Sequence, residues 1–322
     1  MTSPVIRPPH GGRSFAGVPV VTDLSALQAD VAILGIPFGT TYDTESPVNE
    51  SAGSPTAIRA RSAPSHLYHH DFDTGAPVLT GTAADPRIVD CGDVAGGPSP
   101  ADGEANRAMA TAAVQAILKA GAVPIILGGD DSVPIPFFAA YEGQGPFTVV
   151  QVDAHLDWRD EVHGSRYGYS SPMRRASEMP WITGMVQVGL RGTGSARAAE
   201  VADAQAWGSR LVTARAVREG GIGAALDHLP EGGNFLVTID CDGIDPADFP
   251  AVSALAPGGL AYTDVLDLIE GIARKGRIAG LDIVEFGCEH DPSSGLGATV
   301  CSRMVLTAIG AMIRSGQLGA SR

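Results

Sequence analysis

The sequence predicts an α/β protein: a mainly parallel sheet with helices on both faces. Two observations carry that reading. Apolar, β-branched runs of strand length alternate with helical segments along nearly the whole chain, which is how a parallel sheet buried from both sides is written. Each chemically notable cluster also follows one of those runs directly, and open α/β sheets bind ligands at the carboxyl ends of their strands. No internal repeat and no break in composition divides the 322 residues, of which 44% are apolar. One large domain over residues 28–322, preceded by an arm over residues 1–27, is expected.

The arm is rich in proline, glycine and polar residues and should lie over the domain or a neighbour. A strand is expected over residues 29–36, stopped by Pro37. The turn-rich stretch from Gly39 to Pro55 reads as a long loop, and loops of that length are usually functional or mobile. A short helix from Pro55 to Arg61 leads to a His-bearing connection, Ser65-His66-Leu67-Tyr68-His69-His70-Asp71, read as a solvated loop, with metal binding by its three histidines as the alternative. Arg87 to Cys91 forms a strand, Asp102 to Lys119 an alanine-rich helix, and Val123 to Leu127 an apolar strand ending in Gly128-Gly129-Asp130-Asp131-Ser132. The next strand covers 146–153, and after a loop a helix begins near Pro172, a residue suited to a first helical turn. Then come a strand at 185–190, a helix at 195–206, a short strand at 211–212 and a glycine-weakened helix at 214–229. A strand at 234–240 and a helix at 262–275 with a period near 3.6 follow. The last strand runs from Arg277 to Phe286, and a helix at 296–315 closes the chain.

A net charge of −14 argues against nucleic acid or an anionic membrane as partner and suits a cationic substrate. No apolar run reaches transmembrane length, and the N-terminus lacks the basic-then-apolar pattern of a signal peptide. Cys91, Cys241, Cys288 and Cys301 are widely spaced without a CxxC pair, so reduced thiols in a cytoplasm are expected.

The chemistry concentrates at two strand ends. Val149-Val150-Gln151-Val152 runs into Asp153-Ala154-His155-Leu156-Asp157, with a potential ligand at every second position. In an extended backbone those three side chains leave on the same side. Leu236-Val237-Thr238-Ile239 runs into Asp240-Cys241-Asp242 in the same way. Asp153, His155, Asp157, Asp240 and Asp242 offer four carboxylates and one imidazole, a set suited to hard divalent ions with a shift towards Mn, Fe, Ni or Zn. Two such ions about 3.5–4 Å apart could share carboxylates and activate a water. Trp158, Arg159 and His163 follow the first motif and are expected to wall the pocket, with core packing open as the alternative for Trp158.

These motifs resemble the ureohydrolase family of arginases, agmatinases and guanidinobutyrases. Asp153-Ala154-His155-Leu156-Asp157 is similar to the family's DAHxD, and Thr238 to Pro246 to its SxDxDxxDP; Gly128 to Ser132 resembles GGDHS with one change. Supporting matches are Asp90-Cys91-Gly92-Asp93, Gly53 to Arg59, Pro257 to Leu260 and Asp282-Ile283-Val284-Glu285. The resemblance implies a three-layer α/β/α fold and two divalent ions per chain, usually manganese, with nickel in some relatives. It also implies a small cationic guanidino substrate cleaved to urea and an amine, and a homotrimer or homohexamer. Glu285 matches a glutamate that contacts the guanidinium, for which a planar carboxylate is well shaped. Asp157 is expected to relay a proton.

Two positions depart from the family pattern. Asp131 stands where the family places a metal-ligating histidine, and its carboxylate can take that role. Tyr169 stands where agmatinase-like relatives carry a histidine that serves as proton shuttle and substrate contact; His163 is close enough in sequence to replace it. The Gly39–Ala52 loop also differs from the agmatinase pattern. These changes point to a small or N-substituted guanidine or a biguanide. They also motivate an alternative, a catalytically silent or regulatory subunit of a hetero-oligomeric ureohydrolase. A third reading, a formiminoglutamate-type hydrolase, would use Arg166, Arg174, Arg175 or Arg191 for an anionic substrate, unless these are surface or helix-capping arginines.

Overall fold

In the computed structural model, which describes residues 4–40, 42, 49–96 and 102–319, nine strands form one sheet. In chain order the first elements are β1 (Ile6–Arg7), β2 (Val31–Gly35), α1 (Ser54–Arg61), α2 (Ser65–Tyr68), β3 (Ile88–Val94), α3 (Gly103–Lys119), β4 (Val123–Leu127) and α4 (Pro134–Ala139). Next come β5 (Phe147–Val152), α5 (Pro172–Ser177), β6 (Ile182–Leu190), α6 (Ala198–Trp207), β7 (Arg210–Thr213), α7 (Ala214–Gly220) and α8 (Gly223–Leu226). The chain ends with β8 (Gly233–Asp240), α9 (Tyr262–Lys275), β9 (Gly276–Val284) and α10 (Leu296–Arg314).

The strand order is β1-β3-β2-β4-β9-β8-β5-β6-β7. Every pairing is parallel except that of β1 with β3. Successive residues of the central strands therefore feed two separate cores. Val31, Ile33, Val150, Val237 and Ile239 pack with helices α1, α7, α9 and α10. Ala32, Leu34, Val149 and Leu236 pack with α3, α4, α5 and α6 on the other face. This is the three-layer α/β/α arrangement. Because β8 and β9 are inserted between β4 and β5, the ends of β4, β5, β8 and β9 stand side by side at the middle of the sheet, the crevice position expected for a ligand.

The element reading holds with local corrections. Residues Ser65–Tyr68 of the His-bearing connection, expected as a solvated loop, form the short helix α2 with Leu67 buried. The arm is part of the fold: Ile6–Arg7 adds an antiparallel edge to β3, and Phe15 is 1% exposed, with its amide donating to Asp90. The expected helix over 214–229 is two short helices, since Gly221 takes φ 70° between them. Helix α4 is an element the sequence reading lacks, and it contains Pro134 and Pro136. Both fall in its first turn, where backbone N–H groups need no helical partner. Helix α10 is the exception to the absence of a transmembrane-length run. Its 19 residues suffice by length and composition, but 78% of its most apolar window is buried against the sheet and α9. Of the long loop expected between Gly39 and Pro55, residues 41 and 43–48 lie outside the described residues.

Candidate metal centre

Strand β5 ends at Val152, so Asp153, His155 and Asp157 do not converge by alternating along an extended backbone. The chain bends at Ala154 and His155, and Asp157 sits at φ 48°, a left-handed conformation that aspartate tolerates better than most residues. Two glycines let the bend approach its neighbours. A Cβ on Gly243 would stand 2.7 Å from the Asp153 amide nitrogen, and one on Gly189 2.8 Å from the Asp153 carbonyl oxygen. Asp240 is the last residue of β8 and Asp242 sits in a single 3-10 turn, Cys241–Gly243. The Asp240 side chain accepts from the Asp242 amide at 2.8 Å, which fixes the turn.

Among the described residues two triads of ligand atoms result, each with all atoms within 4.8 Å of one another: Asp153, His155 and Asp242, and Asp131, Asp153 and Asp240. Asp153 belongs to both. His155 Nδ1 lies 3.0 Å from Asp242 Oδ2, and the Ala154 amide donates to Asp242 Oδ1 at 3.1 Å. Asp157 joins neither triad but lines the same cavity of about 400 Å³, together with Glu285. The Glu285 carboxylate accepts from the Asp131 amide at 2.7 Å, and Glu285 itself takes φ 58° just beyond β9. The last strand is thus shorter than the sequence suggests, and the left-handed turn aims Glu285 at the site.

The electrostatics are those of a site that needs cations. Asp131 is 2% exposed, and neither of its carboxylate oxygens has a hydrogen-bond partner. Burial pushes its pKa well above the carboxylate range, and Asp157, Asp240, Asp153 and Glu285 push it further. Burial and neighbouring carboxylates do the same to Asp153 and Asp240. Glu285 is raised to about 8, by burial first and by Asp130 next. The hydrogen bond to Asp242 raises His155 to about 9 despite desolvation. Buried carboxylates crowded in this way are held together by bound protons or by metal. The donor set, oxygen-rich with one imidazole, fits hard divalent ions, and Asp131, with both oxygens orphaned, could join it.

The other expected site residues fall in different places. Tyr169 lines the cavity, with its ring 4.5 Å from that of Tyr42. His163 is exposed, outside the cavity wall, 6.5 Å from the Tyr42 ring. Arg159 lines the cavity while bound to Glu200 at 2.7 Å. Trp158 does not wall the pocket: it is 2% exposed, donates to Asp203 and packs against Trp207, the core alternative. None of the four arginines considered for an anionic substrate lines the cavity. Arg166, Arg174 and Arg175 form ion pairs with Asp160, Glu178 and Asp203. Arg191 donates to the carbonyls of Gly189, Asp242, Gly243, Ile244 and Ala256. It clamps the turn that carries Asp242, a role no local pattern announces. Gln151 and Gln187, both fully buried, carry a signal of their own, an amide inside an apolar strand.

A profile of the arginase family matches residues 29–310. The chain is 31% identical over 270 residues to proclavaminate amidinohydrolase of Streptomyces clavuligerus, covering 81% of this chain and 82% of the relative. It is 32% identical over 257 residues to an agmatinase of Pyrococcus horikoshii, covering 80% and 83%. The solved structure of the Streptomyces clavuligerus amidino hydrolase superposes with a TM-score of 0.79 at 26% identity, covering 94% of this chain and 97% of that one.

Proposed function

We propose that this chain, which belongs to the arginase family, a group of hydrolases of carbon–nitrogen bonds in linear amidines, releases urea from an N-substituted guanidine or a biguanide. The observation that carries this reading is the carboxylate of Asp153, shared between two ligand triads. Asp131, Asp153, His155, Asp157, Asp240 and Asp242 would hold two divalent ions, manganese first and nickel as the alternative. When bound, the ions supply Lewis acidity that makes a water nucleophilic near neutral pH.

The protein's own groups do the rest. Glu285, fixed by the Asp131 amide, pairs with the planar guanidinium and holds its carbon over the site. Asp157 takes the proton released on attack and delivers it to the departing amine. The Tyr169 phenol, in the wall, donates a hydrogen bond to the substrate rather than shuttling protons, since burial raises its pKa above the usual 10. A cavity of about 400 Å³ leaves room beyond a bare guanidinium, and the agmatinase and amidinohydrolase relatives also favour a substituted one. The enzyme works in the cytoplasm as a homotrimer or homohexamer, a setting that four free cysteines suit.

The silent-subunit reading draws on Asp131 replacing histidine. The convergence of Asp131 with Asp153 and Asp240 weighs against it, because a subunit without chemistry has no need of that cluster. The test is urea release from a panel of guanidines, guanidino acids, biguanides and formimino compounds, with bound metal counted in the same preparation. Two ions per chain with no urea or ammonia from any compound would defeat the proposal; a near-zero metal content would favour the silent subunit.

A further inference from the structure

We infer that Gln151, oriented by Gln187 and Ser209, is a positioning residue for the metal centre, a role that rests on the functional reading above. Gln151 and Gln187 interrupt apolar strands, are register partners on β5 and β6, and are fully buried. A buried primary amide is costly unless its two donors and its acceptor are met. Here they are met in one sense only. Ser209 Oγ donates to Gln187 Oε1 at 2.8 Å, and Gln187 Nε2 donates to Gln151 Oε1 at 2.7 Å and to the Leu156 carbonyl at 2.8 Å. With its nitrogen facing two acceptors and its oxygen facing a hydroxyl, Gln187 has its amide orientation fixed. That forces the Gln151 oxygen towards Gln187 and the Gln151 nitrogen towards the site.

The Gln151 nitrogen has two hydrogens and two acceptors, Asp153 Oδ2 at 2.6 Å and Asp157 Oδ2 at 2.9 Å. Gln151 can reach both because it is the penultimate residue of β5, directly before the bend that carries Asp153 and Asp157. A neutral NH2 shared by two carboxylates ties them to one another in a fixed geometry, and it adds no charge that would compete with an ion. Asp153 is the carboxylate common to both triads, so a rotation of that one group misplaces a ligand of each. A chain of buried amides running inward from Ser209 on the β7 side of the sheet therefore ends on the residue to which the centre is most sensitive.

The test titrates metal-depleted wild type, Gln151→Met, Gln151→Glu and Gln187→Met with Mn²⁺ alone by calorimetry. The melting temperature of each metal-free protein is recorded beside it. Gln151→Met keeps the volume and removes both donors, and Mn²⁺ affinity should fall by ~10–100-fold, the range seen for partners that orient metal ligands. Gln151→Glu sets a third carboxylate against Asp153 and Asp157 and should lose at least as much. Gln187→Met leaves the donors but frees their orientation and should lose several-fold. At saturating Mn²⁺ most of the urea release should return. A packing role alone would lower the metal-free melting temperature and leave affinity untouched; that result, in a folded Gln151→Met, overturns the inference and spares the functional reading. Wild type that binds neither Mn²⁺ nor, in a parallel titration, Ni²⁺ overturns both. Should Gln151→Met not fold, Gln187→Met decides by the same measurement.

Discussion

Asp131 brings two carboxylate oxygens into the protein where neither meets a donor, which a charged carboxylate tolerates only beside a bound cation. Asp131→Asn keeps the shape and removes the charge. Metal content should drop from two ions per chain towards one, read by elemental analysis, and urea release should fall by two orders of magnitude or more. Asp131→His, which restores the family's residue, should keep both ions. A second buried acid lies outside the centre. Asp282 is fully buried on β9, and its contacts with Thr238 and the Ile239 amide fall short of hydrogen-bond geometry, so burial raises its pKa from 3.8 to about 7. Between those values the unfolded chain ionises while the folded one holds its proton, so stability falls as pH rises through that window. Asp282→Asn should remove this slope and raise the melting temperature near neutral pH, with little change near pH 4; equal shifts at both pH values would refute it. At this scale the sequence names the candidate ligands but not the geometry that brings them together. Alternation predicts that Asp153, His155 and Asp157 share a side, whereas a bend and a left-handed Asp157 bring them together.

Each ligand-bearing turn is held by something on another element. The turn after β8 depends on Arg191 from the end of β6, whose guanidinium reaches five carbonyls, among them that of Asp242. Arg191→Met leaves the carbonyls it bound without donors in a partly buried loop. The cost should be about 2–3 kcal/mol of stability by denaturant titration, in the range for hydrogen bonds to charged groups. Metal affinity should weaken with it, because the turn presents Asp242. Unchanged Mn²⁺ binding in a destabilised Arg191→Met would separate the clamp from the site. The strands themselves are legible, because a parallel sheet buried on both faces writes each strand as an unbroken apolar run. Arg191 and Gln187 escape such a reading because their partners are distant in sequence; Gln151, two residues before Asp153, shows only as a polar residue inside an apolar run. Helix α4 escapes because its prolines are breakers everywhere except in the first turn that they occupy.

Seen whole, the molecule concentrates part of its −14 charge at one end of the sheet, and that makes the fold and its metal interdependent. In the metal-free chain Asp131, Asp153 and Asp240 are pushed well up and Glu285 to about 8, so these groups favour their protonated forms when folded. Each then contributes stability that is lost as pH rises towards its folded value. His155, raised to about 9, acts in the same direction, since the fold prefers it protonated and that preference vanishes above 9. Metal binding runs the other way: the ions require ionised carboxylates and a neutral imidazole, so protons leave as they bind and affinity grows with pH. An ion present at a hundred times its dissociation constant adds about 2.7 kcal/mol, or roughly 4 °C in a chain of this length. The melting temperature of the metal-free protein should therefore fall between about pH 6 and about pH 8, while that of the Mn²⁺-saturated protein holds or rises. Calorimetry in buffers of different ionisation enthalpy should show protons released per ion bound. A gap between the two melting temperatures that stays constant across that range would mean that the acidic cluster is not the metal's site.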